Sequence, residues 1–134
     1  MAFTRIVRMF TGGDRKSHFE DLRVSMEEFR LGSPGTFKTE TVPVTGFDFR
    51  ENPLTCPADF HNAPRRQFMI TLTGAVEMRV GDGSTRVFGP GDVLLAEDVT
   101  GEGHCVRELL GPRRSLVLPL ADDFDISRWR KTSK

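Results

Sequence analysis

The chain is 134 residues long, which suits a single hydrophobic core, and it carries 19 basic and 19 acidic side chains for a net charge of zero. That balance gives no field to draw the molecule to nucleic acid or an anionic membrane, and no apolar run approaches the ~20 residues of a bilayer span. With no tyrosine in the chain, chemistry that needs a catalytic tyrosine is excluded as well.

In chain order, Phe3 to Phe10 is an apolar segment interrupted by Arg5 and Arg8, unlike a secretory leader. It reads as an N-terminal strand, either at the edge of its own sheet or exchanged between two subunits. Ser17 to Phe29 reads two ways. Phe19, Leu22, Met26 and Phe29 fall at helical spacing behind a Ser17-x-x-Glu20 capping box, while Leu22, Val24 and Met26 alternate as in a strand. The strand-rich remainder favours the strand. Thr36 to Val44 and Phe47 to Arg50 are extended segments, and Asn52 to Ala58, with two prolines, is a loop.

Phe68 to Leu72 is apolar on both faces, as in a strand buried between two sheets. Val76, Met78 and Val80 alternate with Glu77 and Arg79, the pattern of a strand with one wet face. Gly81-Asp82-Gly83 is a tight hairpin turn leading back through Arg86 to Phe88. Pro90-Gly91-Asp92 turns the chain into Val93 to Ala96. His104 to Leu110 and Ser115 to Leu120 follow, joined by a turn at Gly111-Pro112, and the Arg113-Arg114 pair reads as part of a solvated turn. The basic segment Arg128-Trp129-Arg130-Lys131 follows an acidic run and reads as a tail that docks or frays. Cys56 and Cys105 are too few for a disulfide framework and read as reduced thiols of a cytoplasmic protein. The whole predicts one all-β domain over 1–134, with its core at about 40–120.

On a strand, residues an even number apart share a face, so His61, Ala63 and Gln67 can line one interior, with Met69 and Thr71 continuing it. The series His61-x-Ala63-x3-Gln67-x6-Gly74, then Gly89-Pro90-Gly91-Asp92, then His104, resembles the two sequence motifs of the cupin superfamily. The first of these runs G-x5-H-x-H-x3/4-E-x6-G, and here Ala63 stands in place of its second histidine and Gln67 in place of its glutamate. The stretch from His61 to Gln67, H-x-A-P-R-R-Q, with Glu97 to His104, E-D-x-T-G-x-G-H, looks like the signature of one cupin subgroup with a degenerate metal motif.

The resemblance implies a jelly-roll β-barrel (a double-stranded β-helix) whose pocket wall is His61, Gln67, Met69 and His104. It implies a homodimer, as in many cupins. A full cupin metal site has three histidines and a carboxylate. Here His61, Gln67 and His104 remain, a set that holds a divalent ion weakly or not at all. Without a metal, the same imidazoles are proton carriers. His61, His104 and Asp98 are then the candidate catalytic residues, with Glu97 as a second choice for the group that orients a histidine. Gln67, Arg65 and Met69 are the candidate ligand contacts. Arg65 shares the parity of His61, although Pro64 can break that register, so it faces either the pocket or the surface. His18 reads as an ordinary loop histidine.

The expected function is small-molecule binding, with isomerase, cyclase or lyase chemistry on the two histidines. Three alternatives accompany it: a metal-free sugar-nucleotide ketoisomerase or epimerase, a non-catalytic ligand-binding or sensory module, and a metal-dependent dioxygenase.

Overall fold

A computed structural model describes residues 2–29, 35–53 and 59–132. They form eight strands and one short helix: β1 (Ala2–Thr11), β2 (Ser17–Phe29), β3 (Thr36–Lys38), β4 (Asp48–Asn52), β5 (Gln67–Val80), β6 (Thr85–Phe88), β7 (Val93–Glu97), β8 (His104–Pro119) and α1 (Ser127–Thr132). The fold is all-β, as the alternating segments predict. Cys56 and most of the expected 52–58 loop lie outside the described residues.

The ambiguous segment is strand β2. Leu22 and Val24 are buried, while Asp21, Arg23 and Ser25 between them are exposed. The period is two because β2 pairs along its length with β1, from Ala2↔Met26 to Thr11↔Ser17. Ser17 is therefore no helix cap. β1 in turn runs parallel to β7 and lies between β2 and β7 in the sheet. The N-terminal segment is thus an interior strand of its own barrel, and the core extends well ahead of residue 40.

The sheet order is β3-β2-β1-β7-β5-β8-β4, with β6 on the far half of β5. β5 and β8 are the two long strands, and the bend between their halves makes the barrel. The first half of β5 pairs with β7 and the second half with β6. Between them the β5–β8 register slips repeatedly, from Thr71 to Val76. Gly74 sits at this corner with φ +80°, and a Cβ there would lie 2.5 Å from the Leu110 carbonyl oxygen and 2.9 Å from Arg113 Cα. Only glycine meets both demands. The sheet folds over itself here as a jelly-roll barrel.

The expected turn at Gly111-Pro112 is instead part of continuous β8. Proline, which donates no hydrogen bond, is tolerated there because the ladder is already interrupted opposite it. The same bulge turns Arg113 inward, so that it is 5% exposed while Arg114 faces solvent. The expectation of a solvated arginine pair therefore holds for Arg114 alone.

Two apolar clusters flank the sheet. One includes Met9, Met69, Met78, Leu94 and Val117 and surrounds the barrel interior. The other includes Ile6, Leu22, Phe68, Leu95 and Trp129 and lies on the outer face. The C-terminal tail docks on that second face: Trp129 is 4% exposed, with its ring 5.4 Å from Phe124 and 6.1 Å from Phe68.

Candidate functional site

The barrel interior holds a cavity of about 320 Å3, at the small end of the range for small-molecule sites. His61, Ala63, Gln67, Met69 and His104 all line it. Both halves of β5 reach it, through Met69 and Met78, because of the bend at Gly74.

His61 and His104 meet as partners in an isolated antiparallel bridge. His61 N donates to the His104 carbonyl and His104 N to the His61 carbonyl, each at 2.9 Å. Their rings lie 4.6 Å apart, tilted by 55°. Gly103 makes this approach possible. Its φ is +79°, and a Cβ there would sit 2.1 Å from the His61 carbonyl oxygen.

Behind His104 lies Asp98, which is wholly buried. Its Oδ2 accepts from His104 Nδ1 at 2.6 Å and from the Ser17 hydroxyl at 2.8 Å. A carboxylate without a proton only accepts, so the neutral His104 ring carries its hydrogen on Nδ1. Nε2 is left with a free lone pair. Asp98, rather than Glu97, is therefore the group that orients a histidine. Glu97 binds Arg8 Nε and Arg66 Nε outside the cavity lining. The loop after Asp98 is pinned by Asn62, whose Nδ2 donates to the carbonyls of Thr100 at 2.9 Å and Gly101 at 3.1 Å. Ala63 N donates to the Asp98 carbonyl. On His61, Nδ1 lies 3.0 Å from the Asp59 carbonyl, which assigns its hydrogen to that nitrogen too.

Arg65 is exposed and does not line the cavity. The residues Pro64 to Arg66 form a bend, which breaks the strand parity that had offered Arg65 an inward direction. Arg66 instead clips the C-terminal segment through the carbonyls of Asp122 and Phe124. The guanidinium that does face the interior is Arg113. It grips Glu108 with Nε at 2.7 Å and Nη2 at 2.9 Å, and its Nη1 meets the Met69 sulfur at 3.3 Å. Sequence reasoning missed both: Glu108 shares the parity of His104 and Val106 and could have been found from it, whereas the bulge that turns Arg113 inward leaves no mark in the alternation. Arg50 and Asn52 on β4 also reach the lining. Arg50 hydrogen-bonds Asp48 and holds its carboxyl below the usual carboxylate range. His18 lies elsewhere, paired with Asp14, whose carboxyl it likewise lowers.

Three buried polar atoms have no hydrogen-bond partner among the described residues: Gln67 Oε1, Thr71 Oγ1 and Asp98 Oδ1. Of these residues only Gln67 lines the cavity. A buried acceptor left unpaired is costly, and Gln67 Oε1 is such an acceptor among the described residues.

The cavity's donors do not match a firmly held divalent ion. They are two imidazoles and one neutral amide oxygen, with a methyl group at Ala63. The neighbouring carboxylates are committed elsewhere, Asp98 to His104 and Ser17, and Glu108 to Arg113. Among the described residues no three His, Cys, Asp or Glu side chains gather as a metal site, and firm sites draw on such ligands.

No protein-family model and no curated protein matches the chain. Among solved structures it is similar to a crystal structure from Salmonella typhimurium LT2, of a protein assigned as ethanolamine utilization protein Q. The match covers 91% of this chain and 100% of that one, at 16% identity and a TM-score of 0.38. So loose an overlap brings no property of that protein to this one.

Proposed function

We propose that this chain is a cupin-type small-molecule enzyme of the isomerase, cyclase or lyase kind, which moves a proton with His104 and His61 and needs no resident metal. The observation that carries this reading is the buried Asp98–His104 pair, which fixes one ring nitrogen as donor and leaves the other free to act as a base. In an isomerisation, His104 Nε2 takes a proton from a carbon next to a carbonyl. The electron pair moves into that carbonyl to give an enediol or enolate. Where the first carbon bears a hydroxyl, the ring returns the proton at the former carbonyl carbon while His61 carries the hydroxyl proton to the former carbonyl oxygen, so the hydroxyl carbon becomes the new carbonyl and nothing is gained or lost overall. Met9, Met69 and Met78 give the cavity an apolar wall beside the buried His104, while His61 is exposed to solvent.

This reading disfavours a dioxygenase, which would need an iron held by two imidazoles and an amide. The degenerate-motif cupin subgroup, a cytoplasmic location and a homodimer belong to the same proposal. For the dimer, β4 ends the path of described strands, and Phe49 on it and Phe47 just ahead of it are exposed. Among the described residues no helix is long and apolar enough to cross a membrane.

The test is a screen of small hydroxy acids, keto acids and aldoses in D2O with chelator-treated protein. Deuterium should enter a carbon-bound position in one of these classes, and His104→Gln should stop it. Binding without exchange in any class would favour a non-catalytic module instead. Exchange that disappears with the metal would restore a metal-dependent enzyme.

A further inference from the structure

We infer that the ligand of this cavity is a small monocarboxylate bearing a hydroxyl or N–H donor, held between Arg113 and Gln67. The inference rests on the cavity being the binding site proposed above, and it names what the cavity selects.

The cavity has two ends. His104 and Glu108 lie four residues apart on β8, about 13 Å along an extended strand. The histidines mark one end and the Arg113–Glu108 pair the other. At the second end the guanidinium is fixed. Glu108 holds two of its nitrogens in a bidentate grip, both side chains being 6% exposed. Among the described residues the third nitrogen, Nη1, has only the Met69 sulfur as a hydrogen-bond partner. A thioether is a weak acceptor, and a buried cationic donor gains much from an oxygen. The ionic side chains lining the cavity are Arg50, Arg113 and Glu108, two positive and one negative. Asp48 on Arg50 and Glu108 on Arg113 already balance the two arginines, so it is the open Nη1, not a net charge, that asks for an anionic oxygen.

Gln67 supplies the complementary need. It is 8% exposed, and its Oε1 is buried without a partner. Gln67 and Met69 share a face of β5, so they are about 7 Å apart along the strand. A single small molecule therefore spans both, with an acceptor at Arg113 Nη1 and a donor at Gln67 Oε1. Its apolar body would lie against Met78, Leu94, Val106 and Val117.

Titration calorimetry on the intact chain tests this with three matched six-carbon probe series: the isomeric hydroxyhexanoates, hexanoate, and the hydroxyhexanamides. At least one hydroxyhexanoate should bind, and the corresponding amide should bind about tenfold or more weakly, since it loses a charge-assisted hydrogen bond. Hexanoate should also be weaker by about tenfold, because it leaves Gln67 unpaired. Gln67→Leu should bring the hydroxy acid down to the level of hexanoate and leave hexanoate itself unchanged. Arg113→Met would strand Glu108 in the interior, so it is combined with Glu108→Gln. That double variant should bind acid and amide alike, and if it fails to fold, the wild-type comparison and Gln67→Leu still decide. Equal binding of acid and amide by the wild type, equal binding of hydroxyhexanoate and hexanoate, or no binding in any series would overturn the inference. An acid that binds without deuterium exchange overturns the acid–base enzyme and leaves this inference standing. Exchange confined to ligands without a carboxylate does the reverse.

Discussion

Asp98 Oδ2 lies 2.6 Å from His104 Nδ1, six residues apart in the chain and with almost no solvent at either side chain. The pairing holds the ring by its rear nitrogen, as a general base is held elsewhere. It depends on a loop, since Val99 to Gly103 must turn back for the two side chains to meet. Asn62 fixes that loop from the His61 segment.

Asp98→Asn tests the tautomer. The amide nitrogen of asparagine can donate to Nδ1, which moves the ring hydrogen to Nε2 and removes the base. Proton exchange should fall by about a hundredfold to ten-thousandfold, while circular dichroism should show an unchanged fold. Exchange at the wild-type rate would mean that Asp98 only fills space.

Gly103→Ala tests the approach of the two histidines. The new methyl group would meet the His61 carbonyl at 2.1 Å on a residue with φ +79°. The strain of the backbone angle alone is about 2 kcal/mol, and the contact adds to it. Thermal unfolding should come at clearly lower temperature, and ligand affinity should fall with the lost bridge. A variant as stable as the parent would show that the loop relaxes at no cost.

Trp129→Ala tests the docked tail. The only tryptophan of the chain packs on Phe68 and Phe124, away from the cavity lining. Its removal should cost about 3 kcal/mol, roughly 10 °C in the unfolding midpoint. Affinity for a cavity ligand should stay within about twofold, as separate sites act independently. In the parent, tryptophan fluorescence should report this docking directly. An unchanged midpoint would mean that the tail adds nothing to stability.

Arg86 and Asp21 give the acid limb a small, signed component. Arg86 hydrogen-bonds the Asp21 carboxylate through both terminal nitrogens and holds its pKa below the ordinary value of 3.8. A lowered carboxyl stabilises the fold above the unfolded value and stops doing so as pH falls through the folded one. Asp21 is largely exposed, so the pair is worth at most about 1 kcal/mol. Asp21→Asn should therefore unfold slightly below the parent at neutral pH, and the gap should close below pH 3.8. A gap that widens with acid would reverse the sign.

The fold was legible because period-two alternation is local. Val76, Met78 and Val80 announce their strand, and Leu22 and Val24 theirs, once a pairing partner is allowed for. Gln67 and Met69, two apart on β5, also face the cavity as their parity predicts, while His61 reaches it from an isolated bridge ahead of the Pro64–Arg66 bend. What the sequence hid was whatever depends on a break in that parity. Pro64 turns Arg65 outward, and the bulge opposite Gly74 turns Arg113 inward, so the expected and actual arginines exchanged roles. The place of β1 was hidden for another reason. Its parallel pairing with β7 joins segments far apart in the chain, and nothing local in Phe3 to Phe10 distinguishes an interior strand from an edge.

The most direct test of the central claim is the state of the His104 ring, read from long-range nitrogen–proton correlations on 15N-labelled protein. With three histidines in the chain, variants at His18 and His61 assign the spectrum. The neutral His104 ring should carry its hydrogen on Nδ1, and Asp98→Asn should shift it to Nε2. A hydrogen already on Nε2 in the parent protein would leave the cavity without its base and contradict the account.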